Sequence, residues 1–155
     1  RVAVAVQQMW KEHLNIEVEL TNQEWKVYLD TVDNKQFRLA RMGWIGSYLD
    51  PGTYLNRFTT KGATNRTGYS DARYDEIIEQ LAPAAKTRAQ RFELMAEAEN
   101  LFMQQYAIIP IYSYNGKHLV QPSVQGYHPN IIEYRNFKQV SLDPSAGVWQ
   151  WPSEG

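Results

Sequence analysis

The residues best suited to binding a ligand lie close together near the middle of the chain. Arg41, Gly43, Trp44 and Gly46 provide a guanidinium, an indole and two positions without a side chain. Glycine lets another backbone approach closely, and strands of α/β proteins deliver such residues to a crevice at the carboxyl edge of a sheet. This pattern favours non-covalent binding. The alternative is a strand end with a packed tryptophan and a solvated arginine.

Residues that could carry out catalysis are not arranged in a recognisable pattern. His13, His118 and His128 are far apart in the sequence, and none has the spacing of a metal site. Glu97 and Glu99 are two residues apart on a predicted helix, so they point to different faces and form a poor acid–base pair. We therefore predict a protein that is not an enzyme, with no catalytic residue, metal or cofactor. An enzyme assembled from distant residues remains the third alternative.

The composition limits the class of protein. The chain has 155 residues, 43% of them apolar, which is enough for about one domain with a hydrophobic core. A net charge of −1 argues against nucleic acid, because there is no basic stripe to neutralise phosphates. The absence of cysteine excludes disulfides and thiolate metal sites.

The elements that position the candidate residues are predicted to form a βαβ unit. Residues 1–14 have helical periodicity, and residues 16–20 alternate like a strand with one wet face. Residues 21–24 resemble a capping box that opens the next helix, and residues 36–42 have the pattern of a strand buried on both faces. The first helix lacks a preceding strand, so we expect the chain to be a piece of a larger protein.

The second half of the sequence predicts two helices followed by strands. A short helical turn after Pro51 precedes a surface loop over residues 59–68. Ser70 or Asp71 caps one helix, and a longer helix starting at Thr87 has apolar residues on its inner face. The apolar positions predicted to face inward are Tyr74, Ile77, Ile78, Leu81, Phe92, Met95, Ala96, Phe102, Met103 and Tyr106. Residues 107–120 predict a hairpin with a turn at Asn115 and Gly116, and residues 137–142 predict a last strand.

Six short strings occur in an order and spacing that is specific when they are taken together. They are residues 22–31, 41–44, 50–51, 68–70, 74–75 and 109–114. Together they resemble the bacterial oligopeptide-binding proteins of ABC importers, the extracellular solute-binding proteins of family 5, over nearly the whole chain. The resemblance implies an α/β fold of the type II periplasmic-binding-protein class, with a mixed sheet flanked by helices. Residues 1–144 would form the carboxy-terminal lobe of a larger two-lobed receptor, and residues 145–155 a tail.

The resemblance also assigns ligand-binding roles. Gly43, Trp44 and Ile45 match the strand edge that pairs with the ligand backbone, and strand addition accepts many peptides because main-chain bonds ignore side-chain identity. Arg41 matches a position that receives a peptide carboxylate, which a guanidinium grips at two points. The positions that match aromatic walls of side-chain pockets are Trp25, Trp44 and Tyr114.

Two positions depart from the family pattern. Ser47 stands where the better-known peptide receptors have an aspartate that pairs with the α-amine of the ligand, and Val32 stands where some have a second arginine. Serine accepts a hydrogen bond from an ammonium but supplies no charge. Asp50 is close in sequence and is the alternative partner for that amine. We therefore expect the cleft to favour anionic groups over an ammonium.

These observations predict the solute-binding component of an ABC transporter, which binds extended oligopeptides in an interlobe cleft. Its partners would be a peptide or related small solute, the membrane permease and the facing lobe, with no nucleic acid. Its location would be the periplasm or, in a Gram-positive source, the outside of the cell membrane, to which a lipid would anchor it. One alternative is a relative specialised for an amino-blocked peptide, a sugar-linked compound or a metal chelate. The other is a protein-interaction or signalling module.

Overall fold

The structure, a computed structural model, describes residues 1–130 and 132–147, and most of its regular elements are helices. The α-helices are α1 (Val2–Leu14), α2 (Trp25–Asp33), α3 (Gly52–Leu55), α4 (Ala72–Glu76), α5 (Ala82–Ala84) and α6 (Arg88–Gln104). A π-helical turn, Ile77–Leu81, joins α4 to α5, and 3-10 turns span Asn56–Phe58 and Pro144–Ala146. Strands β1 (Val124–Gln125) and β2 (Ser141–Leu142) form an antiparallel pair in which Val124 lies opposite Leu142.

The predicted helices are confirmed, and side chains cap three of them. The Asp71 carboxylate accepts the amide of residue 74 at 2.8 Å, and the Thr87 hydroxyl accepts that of residue 90 at 3.1 Å. The predicted capping box before α2 is wrong in detail. Glu24 itself is the N-cap, and its carboxylate accepts the amides of residues 26 and 27, so Thr21 is not needed. Among the described residues no helix combines the length and the apolar character needed to cross a membrane.

The hydrophobic core is formed by residues of the region that runs from α3 to α6. Phe102 stacks on Phe58 with ring centroids 4.3 Å apart and meets the edge of Tyr69 at 5.0 Å. The Tyr74 hydroxyl donates a 2.7 Å hydrogen bond to the Leu55 carbonyl and so joins α4 to α3. The buried members of the core are Leu55, Tyr69, Tyr74, Ile77, Ile78, Ala82, Met95, Ala98 and Phe102.

The inner face of α6 differs in part from the predicted one. Met95 and Phe102 are buried as predicted, and Ala98 completes the stripe at helical spacing. Phe92, Ala96 and Tyr106 are exposed instead, so these three predictions are wrong. The reason for Tyr106 is that α6 ends at Gln104 and the chain turns there with a positive φ of 53°. Leu81 and Met103 are half-buried at the margin of the core.

The loop between α3 and α4 is held by one asparagine. The Asn65 side-chain amide donates to the carbonyls of Phe58 at 3.3 Å, Thr59 at 3.0 Å and Tyr69 at 2.8 Å. The two hydrogens of this amide are shared among carbonyls at both ends of the loop, so a single side chain joins the two ends. The predicted surface loop over residues 59–68 is confirmed.

The predicted strands are largely wrong as elements. Residues 16–20, 36–42 and 107–120 form no ladder within the part of the chain that is described, and only residues 141–142 of the predicted last strand pair. Leu39, expected to be buried, has 63% of its surface exposed. Extended segments become stable strands only beside hydrogen-bonded neighbours with a covered face, and residues 1–130 and 132–147 supply neither to them. The alternation of apolar residues in these segments therefore indicates surfaces that are suited to burial but that the described residues do not cover.

Candidate functional site

The first part of the candidate site joins two segments that are about 70 residues apart in the sequence. The Arg41 guanidinium donates a hydrogen bond to the hydroxyl of Tyr114 and approaches that of Tyr112 at 3.4 Å. The two tyrosine rings meet edge to face with centroids 4.8 Å apart. The side-chain hydrogen bond with Tyr112 is the main cause that raises the pKa of Arg41. Arg41 and Tyr114, predicted separately from sequence, are thus neighbours, whereas Tyr112 was not predicted.

Gly43 lies against this aromatic pair. A Cβ on Gly43 would sit 3.4 Å from a ring carbon of Tyr114, at ordinary van der Waals distance. Gly46 has a different role from the predicted one. A Cβ there would come within 2.8 Å of the Tyr54 hydroxyl and 3.0 Å of a Thr53 methyl group, so Gly46 lets its own chain pack rather than a foreign backbone.

The second part of the site is a small cleft beside Trp44. The Trp44 indole N–H donates to the Thr53 carbonyl at 3.0 Å, and the Ser47 amide donates to the Thr53 hydroxyl at 2.8 Å. The Arg57 guanidinium lies 3.6 Å from the centroid of a Trp44 ring, in cation–π contact. A cleft of about 290 Å³ opens between these residues, and Tyr48 also lines it. Trp44 keeps 42% of its surface exposed, as a pocket wall requires.

The structure does not bring the remaining predicted residues into either part. Trp25 is exposed and stacks on Tyr28 at 5.6 Å, and the Tyr28 hydroxyl donates to the Arg41 carbonyl at 2.7 Å. Trp25 is therefore linked to the first part only through Tyr28. Ile45 is exposed. Val32 is the buried residue of α2, with 1% of its surface exposed.

Asp50 already has a partner within the chain. Its carboxylate accepts two hydrogen bonds from the Arg91 guanidinium, one of them 2.8 Å long, and another from the Gly52 amide at 2.8 Å. The hydrogen bond from Arg91 is the main cause that lowers the pKa of Asp50. The pairing with Arg91 argues against the alternative that Asp50 replaces the acid missing at Ser47.

Arg57 is the functional candidate that the sequence reasoning missed. No pattern around it suggested binding, since a single arginine after a short helical turn is usually solvated. Its proximity to Trp44 depends on the turn of residues 50–58, which folds back over the indole. Among the described residues no cluster of three or more acidic or histidine side chains could hold a metal ion.

Comparison with known proteins identifies similar chains. A family model described as bacterial extracellular solute-binding proteins, family 5 Middle, matches residues 1–66. The periplasmic oligopeptide-binding protein OppA of Salmonella typhimurium is 38% identical over 127 residues, which cover 82% of this chain and 23% of that protein. The periplasmic murein peptide-binding protein MppA of Escherichia coli is 35% identical over 130 residues, covering 84% of this chain and 24% of that protein.

The structural likeness agrees with the sequence likeness. The crystal structure of Haemophilus influenzae OppA in complex with the peptide RPPGFSPFR has a TM-score of 0.79 and 31% identity. The match covers 91% of this chain and 28% of that one. The chain thus spans about a quarter of the length of the relatives it matches. The α/β fold class predicted for the sequence, a part of a type II periplasmic-binding-protein fold, is confirmed.

Proposed function

Because this chain belongs to the bacterial extracellular solute-binding proteins of family 5, we propose that it forms part of a peptide-binding cleft. The protein would bind extended oligopeptides without chemical turnover and deliver them to the permease of an ABC importer. Residues 1–144 would belong to the carboxy-terminal lobe. The periplasmic location in the names of the two relatives supports an extracytoplasmic location for this protein.

The observation that carries this proposal is the group formed by Arg41, Tyr112, Tyr114 and Gly43. The Arg41 guanidinium is exposed, and its partners within the described residues are phenol hydroxyls rather than a carboxylate. Its charge is therefore not neutralised by the chain. A peptide carboxylate provides the two oxygens that a guanidinium binds best, while the rings offer a flat wall to side chains.

The backbone beside this group is open to a ligand strand. Within residues 1–130 and 132–147, no backbone-to-backbone hydrogen bond uses the amides or carbonyls of residues 43–45. Open main-chain groups next to an aromatic wall support binding by strand addition, with side chains of the peptide pointing alternately towards and away from the wall. Receptors for other solutes are less well supported, since the relatives above are named for peptides.

Titration calorimetry on the full-length protein tests the proposal, with trialanine in its free and carboxy-amidated forms. We expect free trialanine to bind and amidation to weaken binding about 10-fold or more, since a charge-assisted hydrogen bond contributes ~1.5–3 kcal/mol. Arg41→Gln should weaken the free peptide by a similar factor and remove the effect of amidation.

The matched control is Arg73→Gln, which removes the same charge from a surface ion pair with Glu76 and Glu97. This variant should leave both affinities unchanged. No heat of binding with any short peptide would contradict the proposed function. Equal affinities of the wild type for the free and amidated forms would contradict the role of Arg41 alone.

A further inference from the structure

Arg57 is an arginine whose charge is only partly compensated. Its guanidinium lies over Trp44 at 3.6 Å and near the Phe58 ring at 5.5 Å, both ring contacts. The Nε atom is buried and has no hydrogen-bond partner among the described residues, and no ion pair of that part of the chain includes Arg57. A buried donor without an acceptor is costly, so Arg57 has a hydrogen bond to offer to a group outside the described residues.

The electrostatic surroundings of Arg57 point to an anion. Burial lowers the pKa of Arg57, and the positive charge of Arg66 lowers it further. Arginine nevertheless stays protonated in proteins, so the guanidinium remains a partly desolvated cation. A negative group that enters the cleft gains a charge-assisted hydrogen bond, whereas an ammonium meets repulsion from Arg57; the charge of Arg66 is paired with Asp33.

The size of the cleft limits what part of a ligand it can hold. Its volume of about 290 Å³ is at the lower end for ligand pockets, so it admits one side chain or one end of a peptide. Ser47 lines the same cleft and contributes no charge. Asp50, the nearest acidic residue in the sequence, is paired with Arg91 and is not available to neutralise Arg57.

We propose that the cleft formed by Trp44, Ser47 and Arg57 is a subsite for a carboxylate at the amino-terminal end of a peptide ligand. The inference rests on the proposed function and names the chemical class that this receptor selects. The resemblance places Ser47 where family members bind the amino-terminal end of the ligand. At that end the Arg57 guanidinium would bind a carboxylate, the Trp44 ring holds the guanidinium in place, and Ser47 leaves room. Peptides with an anionic acyl group, or with an acidic first residue, have this chemistry.

A pair of nearly isosteric probes tests the subsite on the full-length protein. N-succinyl-trialanine carries a carboxylate beyond its amino end, and N-succinamoyl-trialanine has a neutral amide in the same place. Calorimetry should give at least about 10-fold tighter binding of the succinyl peptide, as expected for one charge-assisted hydrogen bond. Arg57→Gln should reduce this preference to less than about twofold, and Arg73→Gln, with the same change in net charge, should preserve it.

Two further variants separate ligand binding from a structural role of Arg57. Arg57→Lys retains the charge but not the flat stacking surface, so it should keep part of the preference for the succinyl peptide. Ser47→Asp places a carboxylate in the cleft beside an unchanged Arg57, so it should abolish the preference for the succinyl peptide. Because residue 47 is exposed, this variant should not disturb the fold. If Arg57 only supported Trp44, its variants would lower the melting temperature and leave the ratio of the two affinities unchanged.

The outcomes distinguish this inference from the proposed function. Equal binding of the two acyl peptides by the wild type overturns the subsite and leaves peptide binding intact. Binding of free trialanine without binding of either acyl peptide also overturns the subsite. Failure of all three peptides to bind contradicts the proposed function, and the inference is then withdrawn with it.

Discussion

The helical region from α3 to α6 and the extended segment of residues 107–121 use similar residues with opposite results. In the first region Phe102 has 2% of its surface exposed, and in the second Tyr114 has 60% exposed. Helices satisfy their backbone hydrogen bonds locally, and residues 52–104 also contain the aromatic side chains that cover one another. Extended segments depend on neighbouring segments both for their backbone hydrogen bonds and for the burial of their side chains. Of the extended segment, only its first residues, Ala107 and Ile108, pack against the core within the described part of the chain. Apolar residues of this region are therefore buried mainly where their partners lie within the same stretch.

The largest expected effect on stability comes from removing one aromatic ring from the helical region and comparing it with the removal of one ring from the extended segment. Phe102→Ala should lower the free energy of unfolding by ~3–5 kcal/mol, because it leaves a cavity between Phe58, Tyr69 and Tyr74. Tyr114→Ala should change it by no more than ~0.5 kcal/mol, since the ring is exposed. Urea unfolding of the chain, followed by far-ultraviolet circular dichroism, measures both. Similar losses for the two variants would show that the extended segment is also part of the stability core.

The same difference explains which elements could be predicted from the sequence. The helices were predicted correctly in residues 1–14, 71–84 and 87–104. These segments show helical periodicity, and a helix forms its backbone hydrogen bonds within its own segment. The strand of residues 36–42 was predicted from alternation, but alternation reports only that a segment is suited to burial. Whether a neighbour covers it is a non-local fact, and within the described residues none does.

The candidate site divides in the same way. Arg41, Gly43 and Trp44 could be identified because they are close in sequence, and Tyr114 through a family resemblance. Their spatial relations could not, since the contact of Arg41 with Tyr114 closes a loop of more than 70 residues. Arg57 has no sequence signature at all, and only the fold of residues 50–58 places it over Trp44. The pairing of Asp50 with Arg91 could not be predicted either, because the two residues are 41 positions apart in the sequence.

The ion pair between Asp50 and Arg91 offers a second test, because it connects the segment of residues 41–50 to α6. Asp50→Asn should lower the free energy of unfolding at pH 7 by ~1.5–3 kcal/mol, the contribution of hydrogen bonds to charged groups. The pair lowers the pKa of Asp50, so its stabilisation is complete above the unfolded value of about 3.9 and is lost as pH falls further.

Thermal melts between pH 7 and pH 2 check both parts of this prediction. The wild type should lose stability below about pH 4 more steeply than Asp50→Asn, because the variant lacks the titrating group. Asp30→Asn is the matched control, since the Asp30 side chain is exposed on α2. If Asp50→Asn and Asp30→Asn melt alike at every pH, the pair does not connect the two regions.

The smallest effect concerns two buried tyrosines of the core whose hydroxyls differ in what they contact. Tyr74 donates to the Leu55 carbonyl at 2.7 Å, whereas the buried Tyr69 hydroxyl has no partner among residues 1–130 and 132–147. Tyr74→Phe should therefore lower the free energy of unfolding by ~0.5–1.5 kcal/mol, and Tyr69→Phe should leave it unchanged or raise it by up to ~1 kcal/mol.

Burial raises the pKa of Tyr69 to about 12, so the wild type should lose stability as pH rises from about 10, and Tyr69→Phe should lose less. Urea unfolding at pH 7 and near pH 11 measures this contrast. A loss in Tyr69→Phe at pH 7 equal to that in Tyr74→Phe would show that the Tyr69 hydroxyl has a partner, and that packing in this core is not decided within residues 52–104 alone.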